Sequence, residues 1–214
     1  MCPKPHAPSG EELQQLRAAI AAVAARLIAQ DGADYASAKR KASAQVLGDA
    51  SPASGLLPDN LEIEQEVRQY QALFQGGSQP ARLHALRHAA LQVMDALAEF
   101  SPYLTGAVLH GTAGEHDYIH LQLFADSAKE VEIFLLNRNV ELDISETAHF
   151  KGGRHAPVET VGFQWHGESV VAELYEKHDL RGALKPRPDG TPQRADSAAV
   201  RQLMEAPGQA QPGA

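Results

Sequence analysis

The spacing of apolar residues changes at Pro102, and that change constrains the fold more than any other feature of the chain. Before it, apolar residues recur three and four apart. Leu13, Leu16, Ile20, Val23, Leu27 and Ile28 form one such set, and Leu83, Leu86, Ala90, Val93, Met94 and Leu97 form another. This spacing lines one side of a helix for burial. After Pro102, short runs alternate apolar with polar, as strands with one buried face do. A chain that is helical first and sheet-forming afterwards belongs to the α+β class.

The boundaries follow from local chemistry. Ser9 with Glu12 three residues later is a capping box, and Gly32 supplies the stop of the first helix. A second helix runs from about residue 34 to 47 and ends at Gly48. Residues 49–60 turn to Pro, Gly, Ser and Ala, a loop composition. Asp59 or Asn60 caps a third helix that carries Ile63, Val67, Tyr70, Leu73 and Phe74. The fourth spans about 80–100, with Pro80 in its first turn. Strands are expected at 105–109 and 118–124, joined by a turn at 111–114. Next come a helix capped by Asp126 and Ser127 and a strand at 140–144. A hairpin follows, pairing 158–165 with 169–175 through His166-Gly167. A short helix at 197–204 is possible. The expected organisation is a four-helix region at 9–100, a small mixed sheet with a packed helix at 101–185, and a partly disordered tail at 186–214.

Of the 214 residues, 43% are hydrophobic and 21% charged, which supports a buried core. The net charge of -8 argues against a dedicated duplex-DNA binder, whose footprint is basic. Cys2 is the sole cysteine, so neither an internal disulfide nor a cysteine-based zinc site is expected, and a reducing compartment fits. The N-terminus has no apolar run of signal-peptide type, and no segment approaches the roughly 18 apolar residues of a membrane helix. A cytoplasmic protein without a membrane partner is the expectation.

Chemistry concentrates between Val108 and Phe124. There Val108-Leu109-His110-Gly111-Thr112 leads through Gly114-Glu115-His116-Asp117 into Tyr118-Ile119-His120-Leu121-Gln122. This segment resembles the core signature of the DNA polymerase β-type nucleotidyltransferase superfamily, in which an apolar strand leads to Gly-Ser or Gly-Gly and the next strand opens with Asp-x-Asp. The small residues let backbone approach phosphates, and the paired carboxylates hold Mg²⁺. Gly111-Thr112 matches the first element. With Ile119, Leu121 and Leu123 inward, Asp-x-Asp becomes Tyr118-x-His120. Shifting by one makes Asp117 the first ligand and leaves Ile119 in the second place. Glu141 or Asp143, on a later strand, fills the place of the third carboxylate. The runs at 34–42, 69–75 and 124–132 extend the resemblance to a family of small proteobacterial proteins with a helical region before a nucleotidyltransferase-like domain. Such proteins are sometimes labelled UDP-N-acetylmuramate–alanine ligases. That label fails on chemistry, because the chain lacks the Gly-rich, Lys-containing loop that cradles ATP phosphates.

The resemblance implies a nucleoside monophosphate transferred from an NTP, with Mg²⁺, to an unknown acceptor, protein or RNA. Gly111, Thr112 and Tyr118 would hold the nucleotide; Asp117, His120 and Asp143 would be catalytic; Asp117, Glu141 and Asp143 would hold the metal. The alternative is a catalytically degenerate module that binds a nucleotide, RNA or protein. Other signals take plain readings: His84 and His88, four apart with no third ligand evident, and the run Lys39-Arg40-Lys41 each mark a wet helix face. Trp165 reads as hairpin packing.

Overall fold

The computed structural model describes residues 9–48, 55–181, 184 and 186–205. Cys2 and the tail beyond Glu205 lie outside the described residues. The chain forms two compact units: one of residues up to 79 with 114–116, the other of residues 80–113 and from 117 onward.

The first unit is built on three helices, α1 (Gly10–Asp31), α2 (Tyr35–Leu47) and α3 (Asn60–Phe74). Their shared core sets Ile20, Ala21, Ala24 and Ala25 against Ala38, Ala42, Ile63 and Val67. Alanine at the contacts lets the helix axes approach closely while Ile and Val fill the volume. The sequence-derived caps are formed. Ser9 and Glu12 make the reciprocal capping box, and Gly32 takes the left-handed conformation after α1. Asp59 and Glu62 make a second box at α3. Glu62 does double duty, because Arg17 of α1 grips it with both Nε and Nη2, at 2.7 and 2.5 Å. That guanidinium, first, holds the Glu62 carboxyl below its ordinary range. His84 and His88, by contrast, are exposed on the next helix, as a wet face requires.

The second unit holds α4 (Gln79–Ala96, apart from its first residue), β1 (Tyr103–Thr105), α5 (Gly106–His110) and β2 (Ile119–Ala125). There follow α6 (Ala128–Leu136), β3 (Asp143–Thr147), β4 (Val158–Trp165), β5 (Glu168–Glu176) and α7 (Ser197–Glu205). The five strands form a mixed sheet in the order β1-β2-β5-β4-β3. β2 and β5 are parallel, and every other neighbour pair is antiparallel. The α+β class is therefore as the sequence implies. Ile119, Leu121 and Leu123 of β2 enter one core with Leu86, Val93 and Met94 of α4, Val131 and Leu135 of α6, and Val200 of α7.

Three expectations shift. The fourth helix forms, but its apolar stripe belongs to the core of the sheet, so the boundary between units falls before α4 rather than after Phe100. The strand expected at 105–109 ends at Thr105, where Gly106 at φ 68° turns the chain into α5. The strand expected at 140–144 begins at Asp143, since Arg138, Asn139 and Val140 bond back to the last turn of α6. The hairpin stands as expected: His166 and Gly167 both take positive φ, 49° and 89°, the signature of a two-residue type I′ turn.

α6 lies against β4 through an acidic contact. Glu159 of β4 faces Glu132 of α6, whose two oxygens are held by Lys129 at 2.7 and 2.8 Å. Burial, then the Glu132 charge, pushes the Glu159 carboxyl above its usual range, while Lys129 holds Glu132 below it.

Two outcomes are expected. Asp59→Ala removes the α3 cap and lowers stability by about 1 kcal/mol in denaturant unfolding. Glu159 has a raised folded pKa, so its contribution is fully present below the ordinary carboxylate range and is lost as pH rises through its own. Glu159→Gln therefore unfolds at a higher temperature than the parent at pH 7.5, and the two midpoints converge near pH 4.

Candidate functional site

Alternation along β2 sends His120, Gln122 and Phe124 to the face opposite the Leu121 core. The register then dictates their neighbours. Thr105, His120, Val171, Gly162 and Asp143 lie on one line across the sheet, and Tyr103, Gln122, Glu173, Thr160 and Ser145 on the next. The parallel pairing of β2 with β5 sets Glu173 directly beside Gln122. Gln122 Nε2 donates to Glu173 Oε2 at 3.3 Å, and the Tyr175 hydroxyl donates to the same oxygen at 2.7 Å. Burial, and then the adjacent Glu173 charge, pushes the Tyr175 phenol well above its ordinary range, so it stays a donor.

His120 lies two residues before Gln122 on the same face of β2. Burial lowers its pKa below the usual imidazole range, and the charges of Glu173 and Asp117 pull the other way. Its ring lies 6.4 Å from that of Tyr118, which is exposed. Gly106 is the nearest backbone turn: a Cβ added there would lie 3.6 Å from the His120 side chain. Thr105 Oγ1 donates to the His120 carbonyl at 3.3 Å, closing β1 onto β2.

Asp117, Tyr118 and His120 are thus gathered, while the other expected residues are not. Asp143 shares the cross-strand line of His120 but lies three strands away, about 14 Å at the usual strand spacing. Glu141 lies just before that edge strand and is exposed. Gly111 and Thr112 follow α5, and their amides bond the Ala107 carbonyl at 2.9 and 3.0 Å. Backbone donors expected to face phosphate there are already engaged. Asp117, Glu141 and Asp143 do not converge as an Mg²⁺ site, and among the described residues no three His, Cys, Asp or Glu side chains are placed to hold an ion.

Glu173 is the residue that sequence reasoning misses. It carries the alternation signal of β5, since Val170, Ala172 and Leu174 are inward and Glu173 is not. Nothing local in the sequence states that β5 pairs with β2. At the far end of the two parallel strands a cleft of about 440 Å³ opens before α6, lined by His149, His155, Glu159, Tyr175 and Asp179 among others. His149 is held there from both nitrogens. Nδ1 accepts from the Lys151 amide at 3.0 Å, and Nε2 lies 3.4 Å from Asp179.

The chain matches no family model and no curated protein sequence.

His120 is the measurable reporter of this face. Its depressed pKa means the unfolded chain takes up the proton first, so stability falls as pH drops through the ordinary imidazole range. Glu173→Gln removes the main charge that raises it, and the His120 midpoint read by NMR moves lower still.

Proposed function

We propose that the second unit is a divergent nucleotidyltransferase-like domain, whose site binds a nucleotide on the face of His120 and Glu173. The single observation that carries this reading is the junction of β1 and β2. β1 ends, Gly106 in the left-handed conformation turns the chain into α5, and His120, the second residue of β2, comes back beside that glycine. In the superfamily this junction is Gly-Ser or Gly-Gly followed by the acidic strand. Gly106-Ala107 serves here in place of Gly111-Thr112, and Ala107 lacks the hydroxyl.

With Tyr118 and His120 where two aspartates are expected, and Asp143 three strands away, the domain binds its ligand without the two-metal chemistry. It is a degenerate binding module, with a nucleotide as its ligand and an RNA end or a partner protein as the alternative occupants. One observation favours a working transferase instead. Glu173 and Asp117 lie within electrostatic reach of a desolvated, largely neutral imidazole, which is the state a general base requires. In that reading His120 takes the proton of an acceptor hydroxyl as its oxygen bonds the α-phosphorus, the α–β phosphoanhydride bond breaks and pyrophosphate leaves, and Glu173 stabilises the imidazolium formed.

Thermal unfolding with each NTP, with and without Mg²⁺ or Mn²⁺, separates these outcomes. Binding to the folded state stabilises it by mass action, by about 2.7 kcal/mol at a hundredfold excess over Kd, and so raises the midpoint. A rise with one nucleotide that is independent of metal is the expected result. A rise that requires metal supports the transferase, and no rise with any nucleotide removes nucleotide binding from the account.

A further inference from the structure

Buried polar side-chain atoms in folded proteins almost always find a partner, so those that do not call for an explanation. Among the described residues, five such atoms have no hydrogen-bond partner within the protein: Gln122 Oε1, Glu159 Oε1, Thr160 Oγ1, Trp165 Nε1 and Arg194 Nη1. Three of the five fall on one face of the sheet. Gln122 and Thr160, 8% and 6% exposed, stand on either side of Glu173 in the same cross-strand line.

Arg194 reaches that face for a backbone reason. Ala195 bridges Leu104 of β1, with amide-to-carbonyl distances of 2.8 and 2.9 Å, and enters the core beside it. Neighbours alternate, so Arg194 is turned to the side of Tyr103 and Gln122. Its guanidinium lies 4.7 Å from the Tyr103 ring centre and 5.0 Å from that of Phe124. Its one hydrogen bond among the described residues is a long one, Nη2 to the Leu180 carbonyl at 3.5 Å. Burial depresses its pKa, and among the described residues no carboxylate pairs with it. A partly buried cation beside rings, with its buried Nη1 unpaired and no carboxylate against it among the described residues, is an incomplete arrangement.

We propose that this face is the floor of a ligand site running from Thr160 past Glu173 and Gln122 to Arg194. Its ligand is a small polar molecule with an oxyanion at the Arg194 end and hydroxyl or amino donors over Gln122 and Glu173. Gln122 and Thr160 are two strands apart, about 10 Å, which fits a small molecule rather than a polymer. The oxyanion is a phosphate or a carboxylate. The site shares Glu173 with the nucleotide-binding reading above but stands on the unpaired atoms, and it holds whether or not the ligand is a nucleotide.

A site kept for a ligand costs the free protein stability, and this gives a test that needs no ligand. Thr160→Val keeps the side-chain shape and deletes the unpaired hydroxyl, so the free variant is expected to unfold at a higher temperature than the parent. A lower midpoint would mean that the hydroxyl is satisfied in the free protein, by water or otherwise, and would overturn the proposal. The second arm titrates the intact protein with inorganic pyrophosphate and, separately, with citrate. One of the two is expected to raise the midpoint, which assigns phosphate or carboxylate, and Arg194→Gln is expected to weaken that binding by about tenfold or more. Arg194→Lys, which retains charge, covers the case in which the Gln variant does not fold; it binds more weakly than the parent because the planar fork is lost. No response to either anion, or a response equal in parent and Arg194 variants, would sink the assignment. Nucleotides that fail while pyrophosphate succeeds would leave this site in place and remove the nucleotide reading alone.

Discussion

The parallel pairing of β2 with β5 organises the second unit. It places the two most apolar strands side by side at the middle of the sheet, where α4 and α6 cover Leu121, Leu123, Ala172 and Leu174. Parallel strands have no short connection, so α6, β3 and β4 must intervene in the chain between them. The same register that closes the core aligns Gln122 with Glu173 and His120 with Val171 on the other side. Core and candidate site are two faces of one set of hydrogen bonds. A slip of one residue would turn His120 and Gln122 into the apolar core and expel Leu121 from it.

Legibility in the sequence follows the range of the interaction involved. Caps, helices and the His166-Gly167 turn depend on residues a few positions apart, and Ser9, Asp59 and Gly32 announce them directly. The core positions of α4 are legible from spacing, yet spacing does not name the surface they cover. Leu86, Val93 and Met94 thus give a helix correctly and its unit incorrectly. Residues 106–110 look like a strand because Val108 and Leu109 are apolar. What redirects them is the positive φ of Gly106, a property of one residue that periodicity does not register.

The site is less legible than the fold for the same reason. Asp117, Tyr118 and His120 are neighbours in sequence and stay together. Asp143 and Glu173 are both acidic residues off the apolar face of a strand, and composition does not rank them. Strand order ranks them: β5 lies beside β2, and β3 lies at the edge. Chemistry that depends on three or four convergent groups is therefore specified by topology as much as by residue type.

The tight turn between β4 and β5 also bears on how the unit assembles. With both turn residues already in the left-handed region, that hairpin closes a very short loop and its entropy cost is small. Joining β2 to β5 closes a loop that contains α6, β3 and the hairpin itself. Local pairs form quickly and long-range parallel pairs slowly. The hairpin is then the template that waits for β2, and until β2 arrives the Glu168–Glu176 edge stands open. That interval, rather than the finished fold, is when the chain is most exposed to pairing with another copy of itself.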